Sequence, residues 1–154
     1  MATLRFGLCS LLLACVCAAG QAAEHPLVVI GGPGIGADKH LTRETIALMF
    51  RRKQTLWPNG QRVQAVNLPV QHPLRRWFSA TVLGQTPEQM EDYWREMYFN
   101  GVLPPHVVAS EAAVELFVAG TPGAIGYLSC VPPHGVTVLM SWGEPAPCPA
   151  HTAD

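Results

Sequence analysis

Short aliphatic and β-branched runs alternate along the chain with longer stretches in which apolar residues recur at helical spacing. Leu27 to Ile30 is a continuous apolar run ending in Gly31-Gly32-Pro33-Gly34, the pattern of a buried strand that enters a loop. Thr42 stands at a helix N-cap position with Glu44 in the first turn. Leu41 is placed to staple onto Ile46, and Ile46, Met49 and Phe50 share one face. Arg51-Arg52-Lys53 suit the negative end of that helix, and Trp57 and the turn Pro58-Asn59-Gly60 follow. Residues 61–68 set Arg62, Gln64 and Asn67 among Val63, Ala65, Val66 and Leu68, which predicts a second strand of alternating exposure.

Pro73 opens the next helical pattern, in which Leu74, Trp77, Phe78, Thr81 and Val82 form an apolar stripe ended by Gly84. Thr86-Pro87-Glu88-Gln89 joins a capping box to a proline at the first helical position, so a further helix is expected from Pro87. Its stripe of Met90, Tyr93, Trp94, Met97 and Tyr98 is expected to pack into the core, with a ligand-lining role as the alternative. Glu88, Glu91, Asp92 and Glu96 fill the opposite faces and need only a solvated surface to explain them. Pro104-Pro105 forces an extended link, Val107-Val108 suggest a brief strand, and Ser110 caps a helix reaching Phe117 and Val118. After the turn Gly120-Thr121-Pro122-Gly123, Ala124 to Leu128 reads as a strand interrupted by Gly126. Val136, Val138 and Met140 alternate in one more strand. Strands alternating with helices imply an α/β layer structure with a mixed sheet.

With 154 residues, 49% of them hydrophobic and 14% charged, the chain suits one domain with a core and is too apolar for disorder. Part of the apolar fraction belongs to the first residues, where Arg5 is the only charge before Glu24. The run Phe6 to Val16 there precedes the small residues Cys17 to Gly20. Residues 1–22 are therefore expected to be a signal peptide for export to the periplasm, residues 23–144 the folded domain and 145–154 a proline-rich tail. Lipidation at Cys15, after Leu12-Leu13-Ala14, is the second reading, and a transmembrane anchor is disfavoured because the run is short and no charged stop follows.

Without its first 22 residues the chain holds nine basic residues against eleven acidic ones, a formal charge of −2, so no nucleic acid is expected as a partner. Cys130 and Cys148 are the cysteines that remain. In an exported chain they are expected to form a disulfide tethering the tail, the other reading being two free thiols.

No catalytic constellation emerges. The six histidines, His25, His40, His72, His106, His134 and His151, are scattered without the spacing of a metal site, and no cofactor motif is present. The glycines at 31–34 lack the Gly-Lys-Ser/Thr of a phosphate loop. One cluster stands out in an acidic chain: Arg51, Arg52, Lys53, Arg62, Arg75 and Arg76 supply six of the nine cations within 26 residues. Either this is a solvated basic face, or Arg75 helps form an anion site at the helix start near Pro73 with His72 as a pH-dependent contact.

Leu27-Val28-Val29-Ile30, Leu41 to Ile46 with Phe50, Trp57-Pro58-Asn59-Gly60, Pro73 to Phe78 and Pro122-Gly123-Ala124-Ile125-Gly126-Tyr127 occur in an order that resembles the phosphate-binding proteins of bacterial ABC transporters. The resemblance implies a single lobe of the type 2 periplasmic-binding-protein fold, since full members are about twice as long and close two lobes over phosphate. Where the family has a Ser-Gly-Thr run at the helix start, this chain reads Gln71-His72-Pro73-Leu74. The hydroxyls are missing and Pro73 removes one N–H. Arg75 or Arg76 matches the basic residue that follows the motif, the only phosphate contact that the resemblance carries over. Apart from the resemblance, His72 and Leu74 at the helix start are expected as further contacts.

The expected function is a secreted, non-enzymatic domain that binds phosphate or another small anion, with a homodimer partner or a membrane protein supplying the second wall of the cleft. The alternative is an interaction module that has lost ligand binding and docks on a membrane sensor or transporter. An enzyme with an unrecognised site ranks third.

Overall fold

The structure, a computed structural model, describes residues 25–36 and 41–149. The expected signal peptide and the Cys15 lipidation site lie outside the described residues, as do His40, His151 and the end of the tail. Five strands form one mixed sheet: β1 Leu27–Gly31, β2 Gln64–Asn67, β3 His106–Val107, β4 Ala124–Leu128 and β5 Thr137–Trp142. Their order across the sheet is β3-β2-β4-β1-β5. β2 runs parallel to β3 and β4, with Val66 opposite His106 and Gln64 opposite Ala124. β1 is antiparallel to both of its neighbours, pairing Val28 with Leu128 and Leu27 with Trp142.

The helices are α1 Arg43–Phe50, α2 Pro73–Phe78, α3 Glu91–Phe99 and α4 Glu111–Gly120. The caps read from the sequence hold α1 and α4: Thr42 Oγ1 accepts from the Thr45 N–H at 3.2 Å and Ser110 Oγ from the Ala113 N–H at 3.2 Å. α2 continues without a break into a π-helical turn, Ser79–Leu83, which Gly84 ends in the left-handed conformation.

Successive residues of β4 show how the layers are arranged, because neighbours along a strand face opposite sides of the sheet. Tyr127 meets Phe50 of α1 and Phe78 of α2 on one side, with ring centroids 5.9 and 4.0 Å away. Gly126 faces α4 on the other. A Cβ there would stand 2.6 Å from Val114 Cγ1 and 2.9 Å from Val118 Cγ2, so the missing side chain is what lets α4 lie close on the sheet. The core fills both interfaces with Leu27, Ile30, Ile46, Phe50, Phe78, Val114, Val118 and Tyr127, all at most 1% exposed.

Three expectations need correction. β2 does not alternate: Ala65, Val66 and Asn67 are all buried, because a strand between two parallel neighbours is covered on both faces. The helix expected from Pro87 starts at Glu91. The capping box forms nonetheless, the Thr86 N–H donating to Gln89 Oε1 at 2.8 Å and the Gln89 N–H to Thr86 Oγ1 at 3.3 Å, and it holds a turn that precedes α3. The aromatic stripe of α3 is not core. Met90 is buried just before the helix, no residue within α3 is, and Tyr98 and Phe99 are 64% and 82% exposed, since among the described residues no other layer covers that face.

Cys130 and Cys148 form a disulfide, with Cα atoms 4.9 Å apart. Beside it the tail pairs with Val131, whose N–H donates to the Ala146 carbonyl while its own carbonyl accepts from Cys148, both at 2.8 Å.

Candidate functional site

β2 delivers Asn67 to its carboxyl end, and the chain then turns through residues 68–72 into α2. Asn67 is 3% exposed, and its Oδ1 accepts from the Tyr127 hydroxyl at 3.2 Å. That hydroxyl also accepts from the Leu68 N–H at 3.3 Å. Burial pushes the Tyr127 phenol up to about 12, so it stays neutral. His72 caps α2 through its ring: Nδ1 accepts from the Leu74 N–H at 3.3 Å. The imidazole thus takes a donor that the sequence had offered to an anion, and Pro73 at the first position offers none.

The four expected contact residues do not converge. His72 and Leu74 line a cavity of about 390 Å³ together with His25, Trp77, Glu111 and Ser129. It lies at the carboxyl end of β4, a usual place for ligands in α/β sheets. Its Ser129 donors are already engaged, because Glu111 Oε2 accepts from the Ser129 N–H at 2.6 Å and from the Ser129 hydroxyl at 2.8 Å, while the buried Trp77 indole N–H has no hydrogen-bond partner among the described residues. An internal carboxylate therefore sits where an anion would need donors.

Arg75 turns the other way. It is 6% exposed and lines a separate cavity of about 480 Å³. Its Nε and Nη1 are buried without a hydrogen-bond partner, and no ion pair reaches it among the described residues. Burial lowers its pKa from the usual arginine value, while the nearby Tyr127 is neutral and no counter-charge. An uncompensated buried charge costs on the order of several kcal/mol, so this guanidinium calls for a counter-charge that the described residues do not supply. Asn67 and Pro87 border the same cavity without having been expected there, and so do Trp94 and Tyr98 of the stripe whose alternative reading was ligand lining. The available signal was Asn67, a polar residue inside the apolar run 65–68.

Three of the other cations are spent on structure. Arg76 is exposed and reaches Glu88 Oε1 at 2.5 Å, and this hydrogen bond is the main reason the Glu88 carboxyl is held down at about 2. Arg51 Nη2 donates to the Leu83 carbonyl at 2.6 Å, closing the π-helical turn. Lys53 Nζ sits 5.8 Å above the ring of Tyr93, whose hydroxyl donates to the Arg51 carbonyl at 2.6 Å. The basic cluster of the sequence is therefore dispersed, with Arg75 alone held inside.

No family model matches the chain, and no curated protein matches it significantly in sequence. Solved structures do match. The chain is similar to an ABC-type phosphate transport receptor from Vibrio cholerae, at 19% identity and a TM-score of 0.57, over 75% of this chain and 46% of that one. It is similar too to a phosphate ABC transporter substrate-binding protein from Clostridium perfringens with phosphate bound, at 17% identity and a TM-score of 0.56, over 75% of this chain and 45% of that one. The likeness is one of fold. The chain has the α/β architecture of a single lobe of a type 2 periplasmic binding protein, with a mixed sheet flanked by helices, and it spans about half the length of the proteins it matches. Among the described residues no helix is long and apolar enough to cross a membrane, and no cluster of His, Cys, Asp and Glu is placed to hold a metal.

Proposed function

We propose that this chain is a secreted, non-enzymatic anion-binding domain, a single lobe related in fold to the substrate-binding proteins of phosphate transporters. The observation that carries this reading is Arg75, a guanidinium buried beside a cavity with no internal counter-ion. A bound anion supplies the missing charge, and desolvated Arg-to-oxyanion contacts are among the stronger hydrogen bonds. Phosphate, which one of the neighbours holds, is the first ligand to test. Titration of the mature protein with phosphate, sulfate and organic anions in a calorimeter is expected to show saturable binding that Arg75→Met abolishes. Binding that survives Arg75→Met moves the site elsewhere, and no binding by any anion ends the reading.

A second reading, a docking module, draws on the apolar residues left in solvent. Phe99, Leu116, Tyr98 and Leu103 are between 60% and 82% exposed, on α3, the loop after it and α4. Exposed aromatic and aliphatic residues in such number often mark an interface, here with a second copy or a membrane protein. Light scattering at high concentration and crosslinking in cells test it: a strict monomer without a crosslinked partner removes it.

A further inference from the structure

We infer that the Arg75 cavity takes an organic monocarboxylate with an apolar body in preference to inorganic phosphate. This rests on the anion-binding reading above and names the class of anion. Three observations carry it.

The first is size. At about 480 Å³ the cavity falls within the roughly 300–1,000 Å³ of small-molecule sites, and a five-atom oxyanion would leave most of it to water. The second is the wall. Val70, Trp94, Tyr98, Pro104, Pro105 and Val107 give it a predominantly apolar and aromatic lining. Val70, Tyr98 and Val107 are 47%, 64% and 54% exposed, so an apolar ligand body would remove them from water. Phosphate offers such a wall nothing.

The third is charge. Arg75 supplies one uncompensated positive charge. Of the other charged residues on the cavity, Glu88 is paired with Arg76, and Arg95 with Asp92 at 2.7 Å. Glu91 also lines it and has no salt-bridge partner among the described residues. A single negative charge at the guanidinium balances Arg75. A dianion would add repulsion from Glu91, which a monoanion with its carboxylate at Arg75 and its apolar part toward Trp94 largely escapes.

Calorimetric titrations of the mature protein at pH 7.5 with 3-phenylpropionate, acetate, inorganic phosphate and the neutral amide of 3-phenylpropionate test this. We expect 3-phenylpropionate to bind at least about tenfold more tightly than acetate or phosphate, from burial of its phenyl group. The amide should not bind detectably. Trp94→Ala, a partly exposed position, should weaken 3-phenylpropionate several-fold while leaving acetate unchanged, and Arg75→Met should weaken both. The amide comparison uses the native protein and stays decisive if Arg75→Met does not fold. Phosphate binding as tightly as 3-phenylpropionate, and lost in Arg75→Met, overturns the inference and leaves the anion-binding reading standing. Equal binding of the amide and the acid overturns the role of Arg75. No binding by any of the four overturns both.

Discussion

The indole N–H of Trp57 donates to the carbonyl of Gly123 at 2.8 Å, in the buried interior and across 66 positions of sequence. The same carbonyl accepts from the Gln64 N–H at 3.1 Å, where β2 begins beside β4. Two of the motifs that carry the family resemblance thus meet each other, and their work is to join the loop after α1 to the start of β4. Gly123 has φ +75°, and a Cβ there would stand 2.3 Å from the Arg62 carbonyl oxygen. Gly84 has a similar φ of +67° with open space around it. Gly84→Ala is expected to cost about 1 kcal/mol, from the left-handed backbone alone. Gly123→Ala should cost at least twice as much in urea denaturation, because the backbone must move as well. Equal costs would show that the crowding relaxes freely.

Tyr127 makes stability fall in alkali. Its folded pKa is raised to about 12 by burial, so the unfolded chain loses the phenolic proton first, near pH 10. The stabilisation is complete below pH 10 and is lost as pH rises toward 12, amounting to about 2–3 kcal/mol. Tyr127→Phe should flatten that part of the profile, measured by denaturant unfolding between pH 8 and 11.5. It should also lower stability at pH 7 by about 1–3 kcal/mol, because the Leu68 N–H loses its acceptor in the interior. An unchanged alkaline slope in Tyr127→Phe would assign the loss to another group.

Arg75→Met should raise the stability of the ligand-free protein. Buried substitutions usually destabilise, yet this one removes an unpaired charge and keeps an unbranched apolar stem. A gain of about 1 kcal/mol or more is expected in thermal melts run in chloride-only buffer. A loss of that size would mean that the guanidinium is satisfied in solution, for instance by ordered water.

Reduction should loosen the edge of the sheet. The Cys130–Cys148 disulfide closes a loop of 18 positions that contains all of β5. In the chain-entropy model such a closure is worth about 3 kcal/mol. The Cys130→Ser, Cys148→Ser double variant should lose about that much, and hydrogen exchange should quicken first in β5. Uniform quickening across β1 and β4 would instead tie the disulfide to global stability.

Local signals in the sequence located most of the elements. Thr42 and Ser110 announce helices because each cap is a hydrogen bond between near neighbours, and Leu27 to Ile30 announces a strand covered on both faces. What the sequence could not show is which faces find a covering layer. Trp94 and Tyr98 recur at core spacing, yet periodicity reports that a face is apolar and not that another element lies on it. For the same reason adjacent Arg75 and Arg76 looked interchangeable. On α2 they point in different directions, so one is sealed beside a cavity while the other reaches Glu88 at the surface. His72 and Arg75, only three positions apart, were expected in one site and line two.

The direction of β1 governs how the molecule can be attached to anything. Because β1 is antiparallel to β4 and β5, the chain enters the sheet at Leu27 beside the place where β5 leaves it at Trp142. The disulfide then holds the tail near that end, at the residue after Ser129. His25, Pro26 and Ser129 all border the His72 cavity there. A tag, a lipid or a fused domain joined to either end of the described chain is therefore tethered beside that cavity. The opposite end of the sheet, with Gly34, Asn59 and Gly123, carries neither end of the described chain, so an attachment at either of those ends does not start from it.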